Sequence, residues 1–146
     1  LYWYLTHACS PVTDGLMPYR EADLLRNILD RADAALKEGK NQATLRFGHE
    51  SCLLPLVALL ELNHYGESYP DVEKLSEQWR AYDIFPMASN VQFVFFHKKG
   101  SNDVLVKVLL NEKEAKLPVK TDVAPYYHWK DVESYYREKL DKYQHI

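Results

Sequence analysis

The stretch Thr44–Leu62, TLRFGHESCLLPLVALLEL, changes its hydrophobic pattern at a single glycine. Ahead of Gly48, apolar and other residues alternate, with Ala43, Leu45 and Phe47 on one face, which predicts a buried strand. After the glycine and two polar residues comes an apolar run long enough for a helix. The sequence therefore predicts a strand that leads through Gly-His-Glu directly into a helix.

Helical spacing flanks the predicted strand on both sides. Residues 17–41 carry apolar side chains at intervals of three and four, and Gly39 stands where a C-terminal cap is expected. Residues 51–66 predict a second helix, with Pro55 in its first turn and Gly66 at its end. A helix, a strand and a helix in close succession favour an α/β sheet with crossover connections.

The second half of the chain predicts further strands and one more long helix. Residues 71–82 predict a short helix and residues 83–90 a loop. Two strand-like runs, VQFVFFHKK and DVLVKVLL, are separated by Gly-Ser-Asn and predict a β-hairpin, and NEKEAKLPVK predicts a short edge strand. Residues 128–143 have helical spacing, and their aromatic face is interpreted as core packing. We interpret residues 1–146 as a single domain or a fragment of one.

Composition excludes several classes of protein. A net charge of −3 argues against a nucleic-acid partner, and no apolar run is long enough to predict a membrane span. The chain begins at Leu1 without a recognisable signal peptide, and we interpret it as a fragment, a processed form or an engineered chain.

The junction at His49 and Glu50 has the chemistry of a phosphate site. If both residues follow a strand and precede a helix N-terminus, the helix N–H groups favour a bound anion. A histidine can donate to a phosphoryl oxygen, and a carboxylic acid can protonate a leaving oxygen. Gly48 permits a sharp turn or the close approach of a ligand. The alternative is structural, with Ser51 and Glu50 serving as a helix cap and a favourable first-turn charge.

The two cysteines leave two questions open. His7 and Cys9 together with His49 and Cys52 suggest a zinc site, but their spacings match no common zinc pattern, and we expect no metal. Cys9 and Cys52 either pair in an oxidising compartment or remain free thiols.

Other charged residues are interpreted as surface features. His97, Lys98 and Lys99 at the hairpin turn either steer anions or, as we favour, solvate the turn and protect strand edges. Arg46 either approaches a phosphate or forms an ordinary salt bridge, and it receives no role.

The stretch LRFGHESCLLPLVALLEL resembles the second signature of the histidine acid phosphatases, the group that includes phytases and multiple inositol polyphosphate phosphatases. In that family a buried strand ends in Gly-His-Asp, or in His-Ala-Glu in the inositol polyphosphate enzymes. ASNVQFVFFHKKGSNDVLVKVLLNEKEAKLP is similar to the strand pair that follows in the family. From Ala22 onward, the resemblance implies the C-terminal part of a mixed α/β sheet flanked by helices, with a downstream hairpin and a C-terminal helix.

The resemblance also implies a mechanism. His49 would bind the phosphoryl group, and Glu50 would donate a proton to the departing alcohol. Glu50 stands where the commoner form has aspartate, one methylene shorter. The family's nucleophilic histidine lies in Arg-His-Gly-x-Arg-x-Pro and forms a phosphohistidine, and these 146 residues contain no Arg-His-Gly. We therefore expect the nucleophile in an N-terminal remainder of the protein and no turnover by this chain alone.

Further expectations rest on the resemblance only. They are a phosphorylated small-molecule substrate such as an inositol polyphosphate, no cofactor, and a periplasmic or secreted location. The alternative is a non-catalytic relative that binds phosphates or a protein partner.

Overall fold

The computed structural model describes residues 17–67 and 71–143. A 3₁₀ segment, Met17–Glu21, leads into the first helix, and a second, Leu62–His64, follows the second helix. The helices are α1 (Ala22–Glu38), α2 (Glu50–Leu59), α3 (Val72–Gln78), α4 (Ala81–Ile84) and α5 (Trp129–Tyr143). The strands are β1 (Val91–His97), β2 (Val104–Leu110), β3 (Lys113–Glu114) and β4 (Tyr127–His128). Among the described helices, none is long and apolar enough to cross a membrane.

The four strands form one open antiparallel sheet. β1 pairs with β2 along its whole length, from Val91 opposite Leu110 to His97 opposite Val104. The short strands β3 and β4 both pair with β2 as well. The predicted hairpin and edge strand are thus confirmed. The two-residue strand β4 was not predicted, because it is too short to show alternation.

The core lies between one face of this sheet and three helices. On β2, alternate side chains are buried, namely Val106, Val108 and Leu110. The helices α1, α2 and α5 contribute most of the other buried residues: Ala22, Leu25, Leu29, Leu54, Leu56, Val57, Leu59, Trp129, Val132, Tyr136 and Leu140. The helical spacing predicted for α1 and α5 is therefore confirmed, and it is the hydrophobic face of each helix that packs inward.

Polar contacts join the first helix to the last. The indole N–H of Trp129 donates to an Asp33 carboxylate oxygen at 2.8 Å. The Arg137 guanidinium pairs with Asp33 and with Asp30, each at 2.9 Å. These contacts join residues about a hundred positions apart in sequence, and they fix how α5 lies against α1.

Carbonyl groups at the C-terminal end of α2 accept hydrogen bonds from side chains of α5. The last carbonyls of an α-helix have no partner within the helix. Tyr136 OH donates to the Leu60 carbonyl at 2.8 Å, and Lys139 Nζ donates to the Leu59 carbonyl at 2.6 Å. Lys139 also pairs with Glu61 at 3.1 Å. Burial lowers the pKa of Lys139, and the Glu61 carboxylate opposes that change.

The helix α2 ends earlier than the sequence predicted. It stops at Leu59, and Glu61 and Asn63 then adopt left-handed backbone conformations, with φ values of 53° and 49°. Gly66 stands where the chain passes back over the helix end. A Cβ atom there would lie 2.6 Å from the Ala58 carbonyl oxygen, so the close approach requires glycine.

The prediction of a buried strand ahead of His49 is wrong for the structure described here. Residues 41–49 have no regular secondary structure and are exposed, with Leu45 at 76% and Phe47 at 94% of full exposure. A strand requires a neighbour to satisfy its backbone N–H and C=O groups. None of the four described strands pairs with this segment. The segment therefore has the alternating pattern of a strand but no described strand to pair with.

Candidate functional site

His49 stands at the start of α2 and has an extended backbone, with φ −116° and ψ 168°. Its carbonyl accepts hydrogen bonds from the N–H groups of Cys52 and Leu53, at 3.0 and 3.1 Å. The helix thus begins at Glu50, one residue before the predicted start. Ser51 lies inside the first turn, and no side chain caps the helix. The interpretation of Ser51 as a cap is therefore wrong.

The first turn of α2 offers two N–H groups to an anion. The N–H groups of Glu50 and Ser51 come before the first intrahelical donor, Cys52, so neither has a carbonyl partner within the helix. The helix dipole adds partial positive charge at this end. An oxyanion beside His49 would meet donors from the backbone and from the imidazole. The arrangement is suited to phosphate binding.

The remainder of α2 is held rigidly in the core. Residues 54–59 are all buried, whereas His49 and Glu50 are exposed. Pro55 belongs to this buried part and lies in the second turn, not the first as predicted. The helix therefore projects its two candidate functional side chains from a fixed support.

No contact with the described residues requires a glycine at position 48. A Cβ atom at this position would have no heavy atom within 4 Å, and its φ angle is not in the left-handed range. The sharp-turn interpretation is therefore not needed for this backbone, whereas the close approach of a ligand stays a prediction.

Glu21 lies beside the same helix turn, and sequence reasoning missed it. The Cys52 thiol donates to a Glu21 carboxylate oxygen, with Sγ and Oε2 2.9 Å apart. Burial raises the pKa of Cys52 to about 11, and the Glu21 hydrogen bond and charge act in the same direction. The two residues are 31 positions apart, and neither sits in a motif that would connect them.

This environment does not suit a zinc ligand. Zinc binds the thiolate form of cysteine, whereas the Cys52 thiol keeps its proton and donates a hydrogen bond to the Glu21 carboxylate. Across 17–67 and 71–143, no group of three or more His, Cys, Asp or Glu side chains is placed to hold a metal. His7 and Cys9 lie outside the described residues, and so does any pairing between Cys9 and Cys52.

We expect Cys52 to resist alkylation. A pKa of about 11 instead of the ordinary 9.0 leaves about one hundredth of the usual thiolate at pH 8. Iodoacetamide modification of the Cys52 peptide, followed by mass spectrometry, should be about a hundredfold slower in the folded chain than in urea. Glu21→Gln should accelerate it. Equal rates in the folded and unfolded chains would contradict the expectation.

The remaining candidates have local partners. Arg46 donates to the Asn27 side-chain oxygen at 2.6 Å, and among residues 17–67 and 71–143 it forms no salt bridge. One His97 ring nitrogen lies 2.8 Å from the Ser101 carbonyl oxygen, and Lys98 and Lys99 are exposed in the turn. No contact described here joins the hairpin turn to the His49 junction.

Residues 20–111 match the sequence model of the histidine phosphatase superfamily (branch 2). The chain belongs to this superfamily. The human protein named multiple inositol polyphosphate phosphatase 1 is similar to it, with 28% identity over 134 aligned positions. That similarity covers 83% of this chain and 27% of the human protein, so the chain spans about a quarter of its relative's length.

The superfamily match confirms the resemblance on which the sequence interpretation rested. It extends over α1, the His49–Glu50 junction, α2 and the β1–β2 hairpin, and it ends before α5. The predicted fold class is also confirmed, because helices pack against an open sheet and a long helix closes the described chain. The described strands all pair antiparallel, however, so the predicted crossover connections are not found among them. Membership supports a phosphatase in general terms.

Proposed function

We propose that the complete protein hydrolyses phosphate monoesters through a phosphohistidine intermediate, and that this chain supplies His49 and Glu50 to the active site. The observation that carries the proposal is their position. Both are exposed at the N-terminus of the buried helix α2, inside the part of the chain that matches the superfamily.

His49 is proposed to bind the phosphoryl group. An imidazole N–H donates to a phosphoryl oxygen, and the free N–H groups of Glu50 and Ser51 lie at the same helix end. The backbone donors are fixed by the helix before substrate arrives, so they stabilise the charge of the transition state without a cost of reorganisation.

Glu50 is proposed as the general acid. When the P–O bond of the ester breaks, the departing alkoxide needs a proton, and the Glu50 carboxylic acid donates it. Glutamate is one methylene longer than the aspartate of the commoner form. At the first position of a helix, the exposed side chain has room to adjust to this extra length.

The nucleophile is proposed to come from the N-terminal remainder of the protein. A histidine in Arg-His-Gly-x-Arg-x-Pro would attack phosphorus and form a P–N bond as the P–O bond breaks, and water would then hydrolyse the phosphohistidine. Residues 42–48 support this division. Leu45 and Phe47 alternate as in a strand and are exposed. The N-terminal remainder would supply the neighbouring strand that covers them.

A phosphorylated small molecule, specifically an inositol polyphosphate, is the proposed substrate class. The name of the human relative supports it. The phytase-like activity and the periplasmic or secreted location expected from the sequence remain part of the same proposal.

The test uses the complete protein and measures phosphate release from an inositol polyphosphate. His49→Ala should lower kcat by about 10²-fold, because one preorganised donor is removed. His97→Ala is the matched control, since His97 is the last residue of β1, beside the hairpin turn, and contacts Ser101. Quenching in alkali during turnover should trap a phosphoprotein that is stable to base and labile to acid, with its phosphate on a residue outside 1–146.

The same experiment separates the proposal from its alternative. Full activity in His49→Ala would overturn the role of His49. No phosphate release by the folded complete protein, together with phosphate binding that His49→Ala weakens, would instead favour a non-catalytic phosphate-binding relative. We expect the 146-residue chain assayed by itself to release no phosphate.

A further inference from the structure

A cluster of one histidine and two aspartates lies away from the His49 junction. His128, the second residue of β4, has Nδ1 3.0 and 3.1 Å from the two Asp103 carboxylate oxygens. Its other ring nitrogen, Nε2, is 2.8 Å from an Asp122 oxygen. A single imidazole thus bridges the residue just before β2 and the loop that leads into β4.

Only the protonated imidazole fits this geometry fully. A carboxylate offers acceptors alone, so both ring nitrogens must be donors, and a neutral imidazole has one N–H. The hydrogen bond to Asp103 and then that to Asp122 raise the pKa of His128. The hydrogen bond from His128 lowers the pKa of Asp122.

The other elements around His128 add little competing charge. From β2, the residue paired with His128 is Leu105, which is uncharged. Lys107 on β2 lies against Glu114, with Nζ 3.3 Å from the carboxylate, and over the Tyr126 ring.

The helix that follows His128 opposes its protonation. The positive end of the α5 dipole begins at Trp129 and disfavours a nearby cation. Lys130 and Asp131 in the first turn of α5 are of opposite sign. Asp103 and Asp122 therefore remain the partners that decide the protonation of His128.

The loop that carries Asp122 is organised as one unit. The Thr121 hydroxyl donates to the Tyr126 carbonyl at 2.7 Å, and its oxygen accepts from the Val123 N–H at 3.2 Å. Because these bonds are internal, the loop can stay folded while its attachment to His128 changes.

We propose that His128, Asp103 and Asp122 form a pH-dependent latch: the protonated imidazole ties the loop 120–126 and the residue just before β2 to β4 through both carboxylates, and the neutral imidazole releases one of these two attachments. The latch is distinct from the proposed phosphatase chemistry and uses none of its residues. The device is conformational: deprotonation removes a donor from one of two carboxylates.

The pH dependence of the latch follows from the raised pKa of His128 and the lowered pKa of Asp122. The folded pKa of His128 is raised, so the stabilisation is complete below the ordinary value of about 6.5 and is lost as pH rises through the folded value. The folded pKa of Asp122 is lowered, so its contribution is lost only as pH falls through that lower value. The latch therefore holds between these limits.

The experiment is an NMR titration of the histidine rings in the full chain. We expect both His128 nitrogens to carry protons at pH 6.5, and the His128 midpoint to lie above the ordinary histidine value of about 6.5. Asp122→Asn and Asp103→Asn should each lower the His128 midpoint. Hydrogen exchange at the Tyr127 and His128 amides, corrected for intrinsic pH dependence, should accelerate as pH rises through that midpoint.

Matched variants separate the latch from general stability. His128→Gln should abolish the pH-dependent step in exchange, whereas His97→Gln should preserve it. An ordinary His128 midpoint in the wild-type chain would overturn the proposal, and that measurement needs no variant to fold. Exchange that is independent of the His128 midpoint would overturn it as well.

Discussion

Replacing Glu50 with glutamine in the complete protein is expected to slow the hydrolysis of alkyl phosphates by about 10²- to 10⁴-fold, the range associated with loss of a general acid. Glutamine keeps the length of the side chain and its exposed position at the start of α2, but it has no carboxylic acid proton. The departing alkoxide would then have to leave without protonation. The measurement is kcat on an inositol polyphosphate.

The leaving group provides the decisive control. An aryl phosphate whose phenolate departs readily needs little protonation, so Glu50→Gln should affect its hydrolysis much less. Glu38→Gln, at the far end of α1, tests whether removal of any exposed carboxylate has the same effect. If Glu50→Gln slowed both substrates equally, Glu50 would not be the proton donor.

Truncating Tyr136 is expected to cause the largest loss of stability. The side chain is fully buried, and its hydroxyl donates to the Leu60 carbonyl at the end of α2. Tyr136→Ala should lower the free energy of unfolding by about 3–5 kcal/mol, as for other large aromatic residues replaced by alanine. Urea unfolding of the full chain, followed by circular dichroism, measures the change.

Two further variants separate the contributions at this site. Tyr136→Phe keeps the ring and removes only the hydroxyl, which leaves the Leu60 carbonyl without that donor and should cost about 1–3 kcal/mol. Tyr82→Ala, at a residue that is 61% exposed, should change stability by less than about 0.5 kcal/mol. A loss in Tyr136→Ala no larger than in Tyr82→Ala would contradict the packing described for α5.

The elements predicted correctly are those whose signals lie within one segment. The periodicity of α1 ends at Gly39, and the structure has a left-handed backbone there, with φ 65°. The hairpin followed from two strand-like runs around a turn, and its strands pair over seven residues each. Such local patterns determine an element when its partner is adjacent in sequence.

The errors arose where the partner is distant in sequence. The segment 41–49 has strand alternation but no described neighbour to pair with, so Leu45 and Phe47 are exposed. The contact between Glu21 and Cys52 and the bonds from α5 to the end of α2 join residues 31 to 80 positions apart. No spacing rule in a single sequence connects such pairs.

The candidate site was predicted in part. The sequence indicated His49 and Glu50 through the change of pattern at Gly48, and the structure places both at a helix N-terminus. It did not predict that the helix begins at Glu50, because a histidine without a side-chain cap gives no start signal. The chemical roles of both residues stay predictions.

The two ends of α2 are held by segments from opposite ends of the described chain. Glu21 contacts its first turn, and Tyr136 and Lys139 contact its last carbonyls. The hairpin turn at 98–101 contributes none of these contacts. Insertions in that turn add only a slowly growing loop entropy. They should therefore leave the helix in place and retain the presentation of His49 and Glu50.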